Sequence, residues 1–312
     1  MSTAFYTHPD CRLHQMGRGH PECPERLDAI SDHLRSTGLD IALEMRDAPK
    51  VALSDVGLAH NSRYIAELKD LLEFIQDDGR SRAIDPDTTA CPETWRAVLR
   101  AAGAAVAATD AVIDGSIDSA FCAVRPPGHH ATRDQAMGFC FFNNVAIAAR
   151  HALDVRGLQR VAIVDFDVHH GNGTEDIIAG DERVLMASFF QHSLYPFSGD
   201  VPKGTNMVNL PIPAYTRGGE VREMIEAMWM PRLEEFRPQM IFVSAGFDAH
   251  RDDELGQLGL VEADYEWITR RIKDVADRHA GGRIVSCLEG GYALGALARS
   301  VAAHLRVLAG VD

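Results

Sequence analysis

The chain lacks any C-x-x-C pair. Its six cysteines, Cys11, Cys23, Cys91, Cys122, Cys140 and Cys287, stand apart, so neither a disulfide framework nor a thiolate-bound metal is expected. They read as small buried hydrophobes of a reducing, cytoplasmic compartment. Positive charge is also short, with 31 basic against 45 acidic side chains and a net charge of −14. Holding nucleic acid by its phosphates needs a basic face, so that partner is not expected. No run approaches the roughly 18 apolar residues of a membrane span. Met1–Asp10 offers no basic segment followed by an apolar one, so neither a membrane partner nor secretion is expected. A linker, a block of like charge and an internal repeat are all missing. The 312 residues therefore read as one domain, 1–312.

What is present is an ordinary globular composition, 46% apolar and 24% charged, enough to bury a large core. Short β-branched runs predict strands at Phe121–Val124, Val161–Asp165, Val184–Ala187, Ile241–Ser244 and Arg283–Leu288. Between them lie helix-length segments at Glu93–Ile113, Asn144–Leu153, Arg217–Glu235, Glu262–His279 and Ala296–Leu308. Val221, Met224, Ile225, Met228 and Trp229 recur at helical spacing and predict a core face. The small residues of Ala101–Ala108 predict close packing against a neighbour. Alternation of this kind implies a parallel sheet covered by helices on both faces. In such sheets ligands sit beyond the carboxyl ends of the strands.

Four strand ends carry unusual polar clusters: Arg125-Pro-Pro-Gly-His-His130, Asp165-Phe-Asp-Val-His-His-Gly-Asn-Gly173, Gly246-Phe-Asp248 and Glu289-Gly-Gly-Tyr292. If the backbone stays extended, Asp165, Asp167 and His169 point the same way. Two carboxylates and an imidazole converging there call for a cation among them. With Asp248 from another strand end, Asp167, His169 and Asp248 make three protein ligands with positions left open. That is the form of a catalytic zinc site, although iron(II) or cobalt(II) fits the same donors. Asn172 or Thr174 is suited to cap the helix that follows. Beside a metal, the pair His129-His130 suits proton transfer to and from bound water. Asp165 is placed to hold one ring charged and Asn172 to orient the other. Tyr292, after two glycines, suits donation to a developing oxyanion. Read blandly, the same residues are solvated strand ends, a surface His pair and a half-buried loop aromatic. His8, His14, His33, His60, His151, His192, His279 and His304 read as packing or surface residues.

These motifs, with Gly138-Phe-Cys-Phe-Phe-Asn-Asn144, Gly19-His-Pro-Glu22 and Pro24-Glu-Arg-Leu27, resemble the histone deacetylase family over nearly the whole chain. Asn172, where class I enzymes carry Asp, resembles class II enzymes and the bacterial histone deacetylase-like amidohydrolases. The resemblance implies an α/β arginase–deacetylase fold, with a central parallel sheet of about eight strands and helices on both faces. It implies Asp167, His169 and Asp248 as ligands of one zinc ion, and His130 as general base and then acid. His129 with Asp165 becomes its electrostatic partner, Asn172 its support, and Tyr292 the residue that polarises the carbonyl. Gly138 and Phe139 match one wall of the acyl-lysine channel, and Tyr195 takes a place where the family usually has Phe. A structural potassium ion is implied near Asp165, Asp167, His169 and Ser188. Polyamine-selective members carry Glu seven residues after the metal-binding Asp, and here that position is Leu255. Removal of acetyl or short acyl groups from lysine in peptides or proteins is therefore preferred to action on an acetylated polyamine. A non-catalytic acyl-binding module would have lost a ligand, base or phenol, and none is lost. Association into a homo-oligomer is left open.

Overall fold

In the computed structural model, which describes residues 2–311, strands and helices alternate along most of the chain. The strands are β1 (Thr3–Thr7), β2 (Leu43–Asp47), β3 (Arg82–Ala83), β4 (Thr89–Ala90), β5 (Ser119–Cys122), β6 (Val161–Asp165), β7 (Val184–His192), β8 (Met207–Pro213), β9 (Ile241–Ala245) and β10 (Ile284–Leu288). The helices are α1 (Asp10–Leu13), α2 (Glu25–Thr37), α3 (Leu53–Val56), α4 (Ser62–Asp78), α5 (Thr94–Ile113), α6 (Asn144–Asp154), α7 (Asn172–Ile178), α8 (Gly218–Phe236), α9 (Glu262–Val275) and α10 (Leu294–Ala309). Eight strands form one sheet in the order β2-β1-β5-β10-β9-β6-β7-β8, and every pairing in it is parallel. β3 and β4 make a small separate antiparallel pair.

Central strands are apolar because helices cover them on both sides. All five residues of β6, β9 and β10 are buried. The two edge strands are the ones the sequence pattern hides. β2 exposes Glu44, Met45 and Asp47, and β8 carries Pro211 and Pro213, which a central strand would not tolerate. Sequence alone also missed β1, α2 and α4, although α4 buries Tyr64, Ile65, Leu68, Leu72 and Ile75 on one face. Met228 corrects the expected core face of α8. Val221, Ile225 and Trp229 are buried, but Met228 is 50% exposed. The small residues of α5 do serve close packing: a Cβ on Gly103 would lie 1.9 Å from the Pro49 carbonyl oxygen.

This order has one consequence for chemistry. β5, β10, β9 and β6 are consecutive in the sheet, and they are the four strands whose ends carry the polar clusters. The clusters, which run from Arg125 to Tyr292 along the chain, therefore open side by side at one edge.

Candidate active site

β6 ends at Asp165. There the backbone turns, because the Asp165 Oδ1 accepts the Asp167 N–H at 3.1 Å. The expected alternation of three side chains on one side thus fails. Asp165 faces His129, whose Nδ1 lies 3.0 Å from its Oδ2. Asp167 and His169 turn instead toward Asp248, from the end of β9. His169 Nδ1 is 3.1 Å from Asp167 Oδ1 and 3.1 Å from Asp248 Oδ2. One ligand atom from each of the three lies within 4.8 Å of the others.

The backbone holds these carboxylates in place. Asp248 Oδ1 accepts the Val168 N–H at 2.9 Å, and Asp167 Oδ2 accepts the Gly290 N–H at 2.8 Å. Gly290 must be glycine for this approach: a Cβ would lie 2.0 Å from Asp248 Oδ2 and 2.6 Å from Asp167 Oδ2. The donor set suits a divalent cation. Two fully buried carboxylates face each other across one imidazole, an arrangement that is costly unless positive charge sits among them. Burial, and next the charge of Asp167, push Asp248 up to about 7. His169, opposed by burial but bonded to both carboxylates, rises to about 10. Without a metal His169 holds a proton and Asp248 binds one more readily, whereas against burial the charges of His129 and His169 keep Asp167 ionised; a cation would displace those protons.

His129 and His130 follow β5, with rings 4.1 Å apart. Their surroundings drive them in opposite directions. Burial disfavours charge on His129, but Asp167 and Asp165 overcome it and raise the ring to about 10. His130 falls well below its ordinary value, from burial first and then from the neighbouring charge of His129. His130 Nδ1 donates to Asn172 Oδ1 at 2.8 Å, leaving Nε2 as the free basic nitrogen. Neither Asn172 nor Thr174 caps α7, as the sequence suggested. Gly171 occupies that position without a side-chain bond; Asn172 serves His130, and Thr174 Oγ1 accepts from Asn143 at 3.0 Å.

Phe139 and Tyr195 lie on loops around this centre. Phe139 stands edge-on to Tyr292 at 6.1 Å, and Tyr195 edge-on to His130 at 5.1 Å. Gly138 has φ +55, and a Cβ there would lie 2.5 Å from the His130 ring. That spot admits only glycine, so the His130 ring is packed against bare backbone. Burial and the charge of Asp248 push the Tyr292 phenol well above its ordinary value, so it stays a donor. Leu255 is half-buried, with its N–H on Asp253 Oδ1 at 3.1 Å. Ser188 pairs in register with Asp165, and its hydroxyl lies 3.3 Å from Asn209 Oδ1.

Sequence reasoning missed the residues that hold the site from behind. Glu289 Oε2 accepts the Gly128 and His129 N–H groups at 2.7 and 3.1 Å, and Ser244 donates to Oε1. Arg26 donates to the Glu289 and Gly291 carbonyls, and its guanidinium lies 5.0 Å from the centre of the Tyr292 ring. Glu22 pairs with both Arg26 and Arg125 in a fully buried cluster. Glu22, Arg26, Arg125 and Glu289 sit in quoted motifs, yet only the tertiary contacts give them roles. His60 and His304 are buried packing residues, as read. His60 spans the Thr132 carbonyl and the Asn143 N–H, and His304 spans Thr269 and Ser286.

Comparison with known proteins agrees with this geometry. Residues 20–308 match the histone deacetylase domain. A histone deacetylase-like amidohydrolase of Pseudomonas aeruginosa is 38% identical over 281 residues, covering 88% of this chain and 73% of that protein. A probable deacetylase of Archaeoglobus fulgidus is 35% identical, covering all of this chain and 88% of that one. The mouse polyamine deacetylase HDAC10 is 36% identical over 99% of this chain but 48% of its own length. Among solved structures, the HD domain of HDA15 superposes with a TM-score of 0.91 at 31% identity, over 99% of this chain and 90% of that one.

Proposed function

Since the chain belongs to the histone deacetylase family, we propose that this deacetylase is zinc-dependent and removes acetyl or other short acyl groups from the side-chain amine of lysine in peptides or proteins. The observation that carries the reading is the meeting of Asp167, His169 and Asp248 beside a His130 whose Nε2 is free. A divalent cation held by those three would supply Lewis acidity to the amide carbonyl and would acidify water there. His130 takes a proton at Nε2 from the attacking water and hands it to the departing amine. Asn172 fixes the tautomer that makes this nitrogen available. His129, kept charged by Asp167 and Asp165, lowers the proton affinity of His130, so that the proton is passed on. Tyr292 donates to the carbonyl oxygen as negative charge grows on it. Buried Ser188, in register beside Asp165, supports a structural potassium ion among Asp165, Asp167, His169 and Ser188. The six free thiols support a reducing, cytoplasmic setting.

An acetylated polyamine is the second reading, and the likeness to a polyamine deacetylase favours it. A polyamine brings extra cationic charge into the channel, and such charge needs a fixed carboxylate partner. Leu255 supplies none. One purified sample assayed with acetyl-lysine peptides, longer acyl-lysines and acetylated polyamines, with and without chelator, tests both. Chelator-sensitive turnover fastest on an acyl-lysine supports the first reading. Preference for polyamines replaces it with the second, and activity that survives complete metal removal overturns both.

A further inference from the structure

Asp253 lies five residues beyond Asp248 in the loop after β9, 6% exposed. It is neither a candidate metal ligand nor a proton carrier, yet it bonds two segments of the site at once. Its Oδ2 accepts the Tyr292 N–H at 2.6 Å and the Ala293 N–H at 3.0 Å. Its Oδ1 accepts the Leu255 N–H at 3.1 Å. Its own N–H is bonded to the His250 carbonyl at 2.9 Å, which ties it back toward Asp248.

These bonds complete a grip that is otherwise one-sided. Arg26 holds the carbonyls of Glu289 and Gly291, just before Tyr292. Asp253 holds the N–H of Tyr292 itself and that of the next residue. Gly291, at φ +117, gives the backbone between them no stiffness of its own. The carboxylate also meets the start of α10, where the helix dipole favours negative charge and strengthens the bond. A phenol that must meet a transition-state oxygen within a few tenths of an ångström needs such a frame.

We propose that Asp253 is a positioning residue that sets the Tyr292 phenol against the metal ligands and fixes the Leu255 side of the channel to it. Substrate selection and carbonyl polarisation then share one rigid connection. The inference rests on the deacylase reading given above.

The experiment is a double-mutant cycle on the metal-loaded enzyme, with Asp253→Asn and Asp253→Ala made alone and on a Tyr292→Phe background. Asp253→Ala alone is expected to lower kcat by about 10- to 100-fold with little change in KM, as small misplacements in active sites do. On the Tyr292→Phe background the same change should cost less than about threefold, because the donor it places is already gone. Equal losses in both backgrounds would reduce Asp253 to a helix cap and overturn the proposal. Should the Ala variant fail to fold, Asp253→Asn, which keeps one acceptor, carries the cycle alone. Hydrogen exchange supplies a readout independent of turnover: in Asp253→Asn, segments 253–257 and 290–296 should exchange faster together while β6 is unchanged. Unaltered exchange there also overturns the proposal. A wild-type enzyme inactive on every acylated amine removes the reaction reading, and exchange then decides the placement of Asp253 by itself.

Discussion

His129 and His130 carry the same side chain, adjacent in sequence, yet their neighbours give them opposite proton chemistry. Asp167 and Asp165 keep one charged, while burial and then the charge of His129 leave the other a weak base, whose ring Asn172 orients. Deacylation needs that asymmetry, since a base that bound its proton firmly would not release it to the amine. Two substitutions separate the roles of the groups around it. Asp248→Ala should abolish metal binding and turnover together; a variant retaining one equivalent of metal would remove Asp248 from the ligand set. Tyr292→Phe should keep its metal while kcat falls by about 100- to 1000-fold, the usual loss for one oxyanion donor. Near-normal kcat with full metal occupancy would take the phenol out of the mechanism. The chemistry of each residue type was legible in the sequence, and the family resemblance already implied His130 as the base; the hydrogen bonds to Asp165 and Asn172 that distinguish the two rings are supplied by the fold.

At the scale of elements, each polar cluster begins at or just beyond the end of a buried strand. The central strands were readable because helices on both faces bury every residue and make the runs mostly apolar, as in Val161–Asp165 and Ile241–Ala245. β2 and β8 were not, because an edge strand satisfies polar and proline-bearing sequences as well. The turn after Asp165 was misread for a local reason. An extended chain was assumed, while the Asp165 carboxylate captures the N–H two residues on and bends it. The loop after β9 carries both Asp248 and Leu255, so in the proposed function it would link the metal site to the choice of substrate. Leu255→Glu is expected to raise kcat/KM for acetylated polyamines relative to acetyl-lysine peptides by about tenfold, the effect of one modest charge interaction in a shielded channel. An unchanged ratio would show that selection is made elsewhere.

For the whole molecule, a buried charge cluster joins the N-terminal segment to the catalytic loops. Burial by itself would raise the Glu22 carboxyl, but Arg125 and then Arg26 overturn that and bring it down to about 2. Its folded pKa lies below its unfolded one, so the unfolded chain binds more protons between the two values. The stabilisation is complete above roughly pH 4.5 and is lost as pH falls toward 2. His60 and His304, held by burial at about 4 and about 3, act in the same direction from pH 6.5 downward. Thermal unfolding followed from pH 7 to pH 3 should show Tm falling throughout. Glu22→Gln should destabilise by about 3–5 kcal/mol at pH 7, because it leaves two buried guanidiniums short of a countercharge. A flat Tm profile, or a Gln variant as stable as the parent, would contradict this account.

Composition, strand-and-helix alternation and the polar clusters at strand ends determined the fold class and the kinds of side chain available for chemistry, because burial periodicity and residue type are local properties. Only the tertiary structure decided that β5, β10, β9 and β6 lie side by side, and hence which carboxylates meet an imidazole and which meet a backbone N–H. Glu22, Arg26, Asp253 and Glu289 acquire their roles the same way, through hydrogen bonds to segments distant in the chain. Sheet order is a pairing between remote segments, and no local pattern of residues encodes it.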